Sequence, residues 1–228
     1  MQFEPCDWHD LNPKDSHLAG PAFWPAGTLW PVCGQCDSPL SFIGQVRLDR
    51  AAIPGAQAGD LLTFHYCLRC RPDVPEQASA YRLRLHRNVD RSDVTPCLPP
   101  PSEAPVWRPT PSRIRLVPRR SVPHWEDAEP ELEHLGLDYN GWRVYGNTVE
   151  QFGLAPAERS QLGGYPEWLF VSEWPTCHEC GTRMVLIWKL ASTRSVSLFW
   201  GPGGRVLIFA CPCRCSDHAL ALVHQYCT

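Results

Sequence analysis

The sequence contains no hydrophobic run long enough to cross a membrane and no strong excess of either charge. Its 228 residues include 21 lysines and arginines against 24 acidic residues, a net charge of −3. This balance argues against general binding to nucleic acid or to an anionic membrane, both of which need a clearly basic surface. The segment Met1 to Asp7 has neither the basic start nor the apolar stretch of a signal peptide. We therefore expect a cytoplasmic protein with no membrane partner, and the charge balance disfavours a nucleic-acid partner.

The motifs that identify common enzyme classes are also missing. There is no His-Glu-x-x-His, no Gly-x-Ser-x-Gly, no phosphate-binding glycine loop and no dinucleotide-binding fingerprint. The glycine-rich segment 201–204 lacks a following Lys-Ser/Thr and is predicted to form a hairpin turn. Cys215, Asp217 and His218 resemble a nucleophile and base only in composition, because they are simply sequence neighbours. No catalytic or cofactor-binding residue is predicted.

An internal repeat is present at a constant offset of 144 residues, without insertion or deletion from Leu18 to Cys67. The tryptophans and cysteines among the matches make coincidence a poor explanation, so we predict an internal duplication with a pseudo-twofold arrangement. The matching positions are 18–20 with 162–164, Trp24 with Trp168, Trp30-Pro31 with Trp174-Pro175, and Cys33, Cys36 and Cys67 with Cys177, Cys180 and Cys211.

The first copy contains two Cys-x-x-Cys turns thirty residues apart, one with Cys33 and Cys36 and one with Cys67 and Cys70. Twelve cysteines in a reducing cytosol are better explained by metal binding than by disulfides. Two such turns supply the four corners of a tetrahedron, which suits zinc with bonds of about 2.3 Å. A redox-active pair would open a helix in a βαβ unit, and neither turn has that setting. We predict a structural zinc site.

The second copy contains Cys177, Cys180 and Cys211, but its fourth ligand is ambiguous. The repeat offset places an arginine at the position of Cys70, with Cys213 and Cys215 on either side. His218 is a more remote candidate. We predict that one of the two cysteines completes a second structural zinc site. Four thiolates would leave no room for a water molecule, whereas an open fourth position would allow catalysis.

Each copy is predicted to fold as an antiparallel hairpin that brings its two cysteine turns together. The strands are Leu40 to Leu48 and Leu61 to Tyr66 in the first copy, and Met184 to Leu190 and Arg205 to Ala210 in the second. The alternation around Gln45 and Arg47 predicts a half-buried strand with these polar residues facing solvent. A further strand, Ser79 to Asn88, is predicted to carry a solvated arginine face. The predicted fold class is mainly β, a β-rich α+β protein.

Three segments are predicted: a first repeat at 1–95, a linker at 96–135 and a second repeat at 136–228. Nine prolines between Pro96 and Pro123 favour an extended chain. The linker carries an arginine-rich run followed by an acidic run. These runs either neutralise each other, or one of them receives a charged partner. Their residues are Arg108, Arg113, Arg115, Arg119 and Arg120, then Glu126, Asp127, Glu129, Glu131 and Glu133.

Two stretches carry a family resemblance, Leu162 to Trp168 before a cysteine turn and Gly203 to Cys211 in the closing strand. They resemble the uncharacterised bacterial YwqG-like proteins. The cysteine layout, the repeated halves and the Arg-Leu-Arg-Leu-His-Arg stretch are similar to the programmed cell death protein 2 family, whose members are implied to chaperone a new ribosomal protein. The resemblance implies a β-rich body with Cys33, Cys36, Cys67, Cys70, Cys177, Cys180 and Cys211 as metal ligands.

The function expected from these features is a non-enzymatic, zinc-stabilised module that binds another protein. That partner is either a client, as for a chaperone, or a toxin that the chain neutralises. One alternative is a metal-dependent enzyme that uses the irregular second cysteine cluster. Another is a nucleic-acid-binding zinc ribbon, although the cysteine turns lack the basic residues that phosphate contacts need.

Overall fold

The computed structural model describes residues 1–25, 27–70, 79–91, 97, 108–132, 141–154 and 160–227. These ranges contain ten strands and two α-helices. The helices are α1 (Trp125–Leu132) and α2 (Gly141–Gln151). The strands are β1 (Gln2–Pro5), β2 (His17–Leu18), β3 (Ser41–Arg47), β4 (Leu61–Tyr66), β5 (Tyr81–His86), β6 (Ser112–Arg115), β7 (Gln161–Leu162), β8 (Val185–Ala191), β9 (Arg205–Ala210) and β10 (Leu220–Gln225).

The strands form two antiparallel sheets. One has six strands in the order β1-β6-β2-β3-β4-β5, and the other has four in the order β10-β9-β8-β7. The two predicted hairpins are the central pairs, β3 with β4 and β8 with β9. The prediction of a mainly β fold is confirmed. No helix in the described ranges combines the length and apolarity that crossing a membrane requires.

The two central hairpins share backbone details at the 144-residue offset. Their registers coincide, and so do the position of a register shift and a serine that caps the strand end. These matching details are the pairs Ser41–Tyr66 and Val185–Ala210, the shifts after Phe42 and after Leu186, and the amides of Arg47 and Ala191 that donate to Ser16 Oγ and Ser160 Oγ.

One hydrophobic core joins the two sheets. Trp200 stacks on Phe64 with ring centroids 6.0 Å apart, and meets Tyr66 edge-on at 5.3 Å. Both sheets therefore bury one face in the same cluster. Its fully buried members include Leu18, Ile43, Val46, Leu62 and Phe64 from the first half, and Ile187, Trp188, Leu190, Val206 and Ile208 from the second.

The prediction that Gln45 and Arg47 face solvent is wrong, because their relative exposures are 0% and 6%. The segment before β3 covers this face: Gln45 Oε1 accepts from Phe23 N at 2.9 Å, and Gln45 Nε2 donates to the Pro13 carbonyl at 2.7 Å. Arg47 is bound by the Asp90 carboxylate at 2.7 Å. Internal partners rather than water satisfy these polar groups. The alternation of polar and apolar residues along β3 therefore corresponds to a face that other segments cover.

The predicted solvated face of β5 is exposed at Arg82, whereas Arg84 is half-buried and His86 is buried. The Arg84 guanidinium lies 5.5 Å from the ring centroid of Trp24. His86 is 7% exposed and packs edge-on against Phe23 at 4.8 Å, with its Nε2 3.1 Å from Thr63 Oγ1. Burial, reinforced by the charge of Arg84, lowers the pKa of His86 from 6.5 to about 3.

His86 should make the protein sensitive to mild acid. Its folded-state pKa lies below the unfolded value, so its contribution is complete above about pH 6.5 and is lost as pH falls towards 3. Between pH 8 and pH 5.5 the unfolding free energy should fall by about 1.4 kcal/mol through this group alone. Urea unfolding of wild type and His86→Gln at both pH values, with metal content verified, should show a smaller pH effect in the variant. An equal effect would contradict the prediction.

The predicted linker contains two elements that pack on the halves. β6 pairs with β1 and also with β2. From α1, the Asp127 carboxylate accepts hydrogen bonds from Trp168 Nε1 at 3.0 Å and Trp174 Nε1 at 2.5 Å, and from Ser172 Oγ at 2.8 Å. The boundaries at 95/96 and 135/136 stay a prediction. The segment between them supplies one strand of the six-stranded sheet and a helix that is hydrogen-bonded to the second half.

Asp127→Ala should destabilise the fold by about 3 kcal/mol, because it leaves two indole N–H groups and a hydroxyl without their charged acceptor. Urea unfolding followed by tryptophan fluorescence measures the loss. Glu129→Ala is the matched control, since Glu129 is exposed on the same helix. Equal stability of the two variants would show that the Asp127 contacts contribute nothing.

Candidate metal centres

Both first cysteine turns fold in the same way. The Asp37 amide donates to the Cys33 carbonyl at 2.9 Å, and the Gly181 amide donates to the Cys177 carbonyl at 2.8 Å. Asp37 and Gly181 both have positive φ, 54° and 69°, which reverses the chain directly after the second cysteine of each turn. Each turn thereby points its two sulfur atoms to one side.

The first cluster comprises Cys33, Cys36, Cys67 and Cys70, with all four Sγ atoms within 4.8 Å of one another. The Cys33–Cys70 and Cys36–Cys67 Sγ distances are 3.8 and 3.7 Å. β3 and β4 carry the two turns to the same end of the hairpin, and the Cys67 amide donates to the Ala80 carbonyl at 2.8 Å. Cys33 and Cys67 are buried.

The second cluster comprises Cys177, Cys180, Cys211 and Cys215, again with all Sγ atoms within 4.8 Å. Cys211 Sγ lies 3.5 Å from Cys180 Sγ and 3.6 Å from Cys215 Sγ. Cys180 and Cys215 are exposed, so this cluster lies nearer the surface than the first.

The structure separates the two candidates for the eighth ligand. Cys215 belongs to the cluster, whereas Cys213 is exposed and its Sγ lies 3.7 Å from Thr182 Oγ1. A positive φ of 56° at Arg214 turns the chain between them. The second turn is therefore Cys-x-x-x-Cys, one residue longer than in the first half, which explains why the repeat offset fell on an arginine.

The clusters fit a tetrahedral metal ion. Bonds of about 2.3 Å to four thiolates place neighbouring sulfur atoms about 3.8 Å apart, and the shortest separations here are 3.5–3.8 Å. All twelve cysteines are free thiols, so no disulfide competes for these residues. An all-sulfur tetrahedral set is typical of zinc or iron.

Each cluster also contains a hydroxyl that favours the thiolate form. A hydrogen bond from Ser38 lowers the pKa of Cys36, and one from Thr182 lowers the pKa of Cys180. These hydroxyls stand at the same repeat position, two residues after the second cysteine. Metal ligation requires deprotonated sulfur, so these two shifts are in the direction that binding needs. In the opposite direction, burial raises the pKa of Cys67 and of Cys70, and the neighbouring Cys180 thiol raises the pKa of Cys215.

The second cluster is attached to the first half of the molecule, a feature that the sequence did not reveal. Arg214 NH1 lies 2.6 Å from Asp60 Oδ2 and 2.6 Å from the Gly55 carbonyl. Gly55 allows this approach, because a Cβ there would lie 2.6 Å from the Pro212 carbonyl oxygen. The only available signal was the irregular Cys-Pro-Cys-Arg-Cys ending.

The Cys215, Asp217 and His218 side chains do not form a catalytic set. Cys215 is in the metal cluster, the Asp217 carboxylate pairs with the Arg87 guanidinium, and His218 is exposed. Cys215 and Asp217 therefore each have partners outside this group of three residues.

A family model described as "Domain of unknown function (DUF1963)" matches residues 16–212, which include every cysteine of the two clusters except Cys215. A comparison with curated proteins gave no match.

Proposed function

Because the chain belongs to the DUF1963 family, whose description assigns no activity, we propose its function from its own residues: a non-enzymatic module that binds another protein and holds one structural zinc in each half. The observation that carries this proposal is the pair of four-cysteine clusters at equivalent ends of two matching hairpins. Each cluster supplies all four ligands of a tetrahedral ion, which leaves no coordination position for a substrate.

We assign zinc rather than iron because each cluster joins the two cysteine turns at the end of one hairpin, which is a structural role. A zinc ion of this kind contributes folding energy without redox chemistry. The hydrogen bonds that the amides of Gln35 and Cys70 donate to Cys33 Sγ and Cys67 Sγ, at 3.4 and 3.3 Å, support a fixed thiolate cage.

We attribute the two halves to duplication of one zinc-binding unit. Equal strand registers, an equal register shift and equal serine caps support this origin. The resemblance to the YwqG-like proteins and to the programmed cell death protein 2 family also supports a duplication, because it includes the cysteine layout and the repeated halves. The second of these supports a chaperone-like role in which the partner is a client; a toxin is the other partner class.

Exposed aromatic side chains support protein binding. Trp142, Phe152, Phe170 and Phe199 have relative exposures of 48–70%. Aromatic residues are enriched at protein interfaces, where they bury large areas at little conformational cost. No observation among the described residues favours the enzyme or the nucleic-acid alternative.

The proposal is tested by capturing partners with the metal-loaded, full-length chain in extracts of its source organism. Each candidate is then purified, and its affinity for the chain is measured by isothermal titration calorimetry. We expect a protein that forms a complex of defined stoichiometry with micromolar or tighter affinity. The matched bait is a Cys36→Ser/Cys180→Ser variant, which should lose its fold and therefore its binding to the partner. Turnover of a small molecule by the wild-type chain, or failure of every purified candidate to bind, would refute the proposal.

A further inference from the structure

A cavity of about 500 Å³ lies where the two halves meet the segment between them. Three stretches line it: Arg50 to Ala52 after β3, Leu116 to Ser121 after β6, and Ser160 to Tyr165 around β7. A second cavity of about 570 Å³ adjoins it and shares Arg50, Leu116 and Pro118. We call the two together the junction groove.

The described lining of the first cavity is positively charged. Among the residues that the structure describes, Arg50, Arg119 and Arg120 line it, and no acidic residue does. Arg119 and Arg120 are exposed and form no ion pair among the described residues. Arg50 Nε is 3.8 Å from Asp49, but that carboxylate is already bound by Arg47 at 2.5 Å.

The second cavity extends the basic lining along β6. Arg113 and Arg115 lie on this side, together with Asp10 and Asp15 as the acidic residues. Arg115 is 3.7 Å from Glu4, a loose surface pair. The positive charge of the groove is therefore strongest at the Arg119–Arg120 end.

Two carboxylates of the chain's own acidic run have partners other than these arginines. Asp127 binds the Trp168 and Trp174 indoles, and Glu126 Oε2 accepts from the Ser172 amide at 2.8 Å. Both carboxylates are thus used to hold α1 against the second half. Of the two alternatives left open by the sequence, neutralisation of one run by the other has no support from these two residues.

Apolar side chains line the first cavity together with the arginines. Leu116, Val117, Leu154 and Leu162 face the first cavity, and Val117 is 46% exposed. A ligand that matches this surface carries negative charges and apolar groups together. A cavity of about 500 Å³ is within the usual size range of ligand sites, and the adjoining cavity allows an extended segment to continue along β6.

We propose that the junction groove binds an acidic, partly apolar segment of the partner protein, with Arg119 and Arg120 as its main charge contacts. This inference rests on the proposed protein-binding function and names the chemistry of the partner. A nucleic acid fits less well, because the chain as a whole carries −3 and Tyr165 is the one aromatic ring among the described lining residues of the first cavity.

The test uses the metal-loaded, full-length chain and a fluorescein-labelled peptide of six glutamates interspersed with three leucines. Fluorescence anisotropy should show binding that weakens as salt rises. Arg119→Glu/Arg120→Glu should raise the dissociation constant at least about tenfold, since it reverses two contacts. The matched control, Arg91→Glu/Arg194→Glu, changes the net charge equally at exposed arginines outside both cavities and should leave binding unchanged.

Three results would overturn the inference: equal weakening by both double variants, no binding of the peptide, or preferential binding of a polyuridylate probe. Circular dichroism of each variant verifies that the fold is retained, and Arg119→Ala/Arg120→Ala repeats the test without added negative charge. Partners captured by the wild-type chain separate this inference from the proposed function. If a purified partner binds the wild type and the Arg119→Glu/Arg120→Glu variant equally, the protein-binding function stands and the groove is not its site.

Discussion

The protein purified without chelator should contain two zinc ions per chain, and Cys215→Ser should contain one. The geometry predicts this result because Cys215 completes the second cluster. Cys213→Ser should retain two ions, since Cys213 Sγ lies beside Thr182 instead. Elemental mass spectrometry together with thiol titration measures both quantities. The two serine substitutions are only two residues apart in the sequence, so the variants form a closely matched pair.

Removal of both ions should abolish the cooperative fold. Structural zinc contributes about 10–16 kcal/mol in small peptides, whereas a whole domain is typically stable by about 5–15 kcal/mol. Because the two sheets share one core, the loss is not expected to remain local. Near-ultraviolet circular dichroism during titration with a strong chelator measures the transition. Retention of the native spectrum in metal-free protein, or loss of an ion from Cys213→Ser, would contradict the assignment.

Local features could be predicted from the sequence because residue chemistry determines them over short distances. The strands β4 and β9 have the predicted ends, Leu61–Tyr66 and Arg205–Ala210, because a run of apolar residues stops at a cysteine turn in each case. Seven cysteines were placed in two clusters by spacing and by the repeat. The spacing signal lies within one hairpin, and the repeat transfers it to the second hairpin.

Features that depend on distant segments could not be predicted in this way. The burial of Gln45 depends on carbonyl groups of the segment before β2, which no period of the β3 sequence encodes. The prolines of segment 96–123 predicted an extended linker, so β6 was not predicted, although this short strand pairs with two others. The choice of Cys215 over Cys213 depends on the left-handed Arg214 and on its contact with the other half.

Arg214→Ala should destabilise the protein by about 3–5 kcal/mol, because it leaves the Asp60 carboxylate buried without its cation. Asp60 is 2% exposed and retains one backbone donor, the Gln57 amide at 3.0 Å. The Arg214 side chain also donates to the Gly55 carbonyl, so the substitution removes two polar contacts between the second metal cluster and the first half. Urea unfolding of metal-loaded protein measures the difference.

Arg87→Ala provides the matched control for this contact between the halves. Arg87 pairs with Asp217 across the same two halves, but the side chains are 30% and 47% exposed, so its loss should cost less than about 1 kcal/mol. Arg214→Ala should be partly rescued by Asp60→Asn, since the double variant no longer buries an unpaired charge. The metal content should stay at two ions in every variant, because the sulfur atoms of both four-cysteine clusters are unchanged. An effect of Arg214→Ala no larger than that of Arg87→Ala would contradict the prediction. A loss of metal without the rescue would show that residue 214 acts through the cluster and not through Asp60.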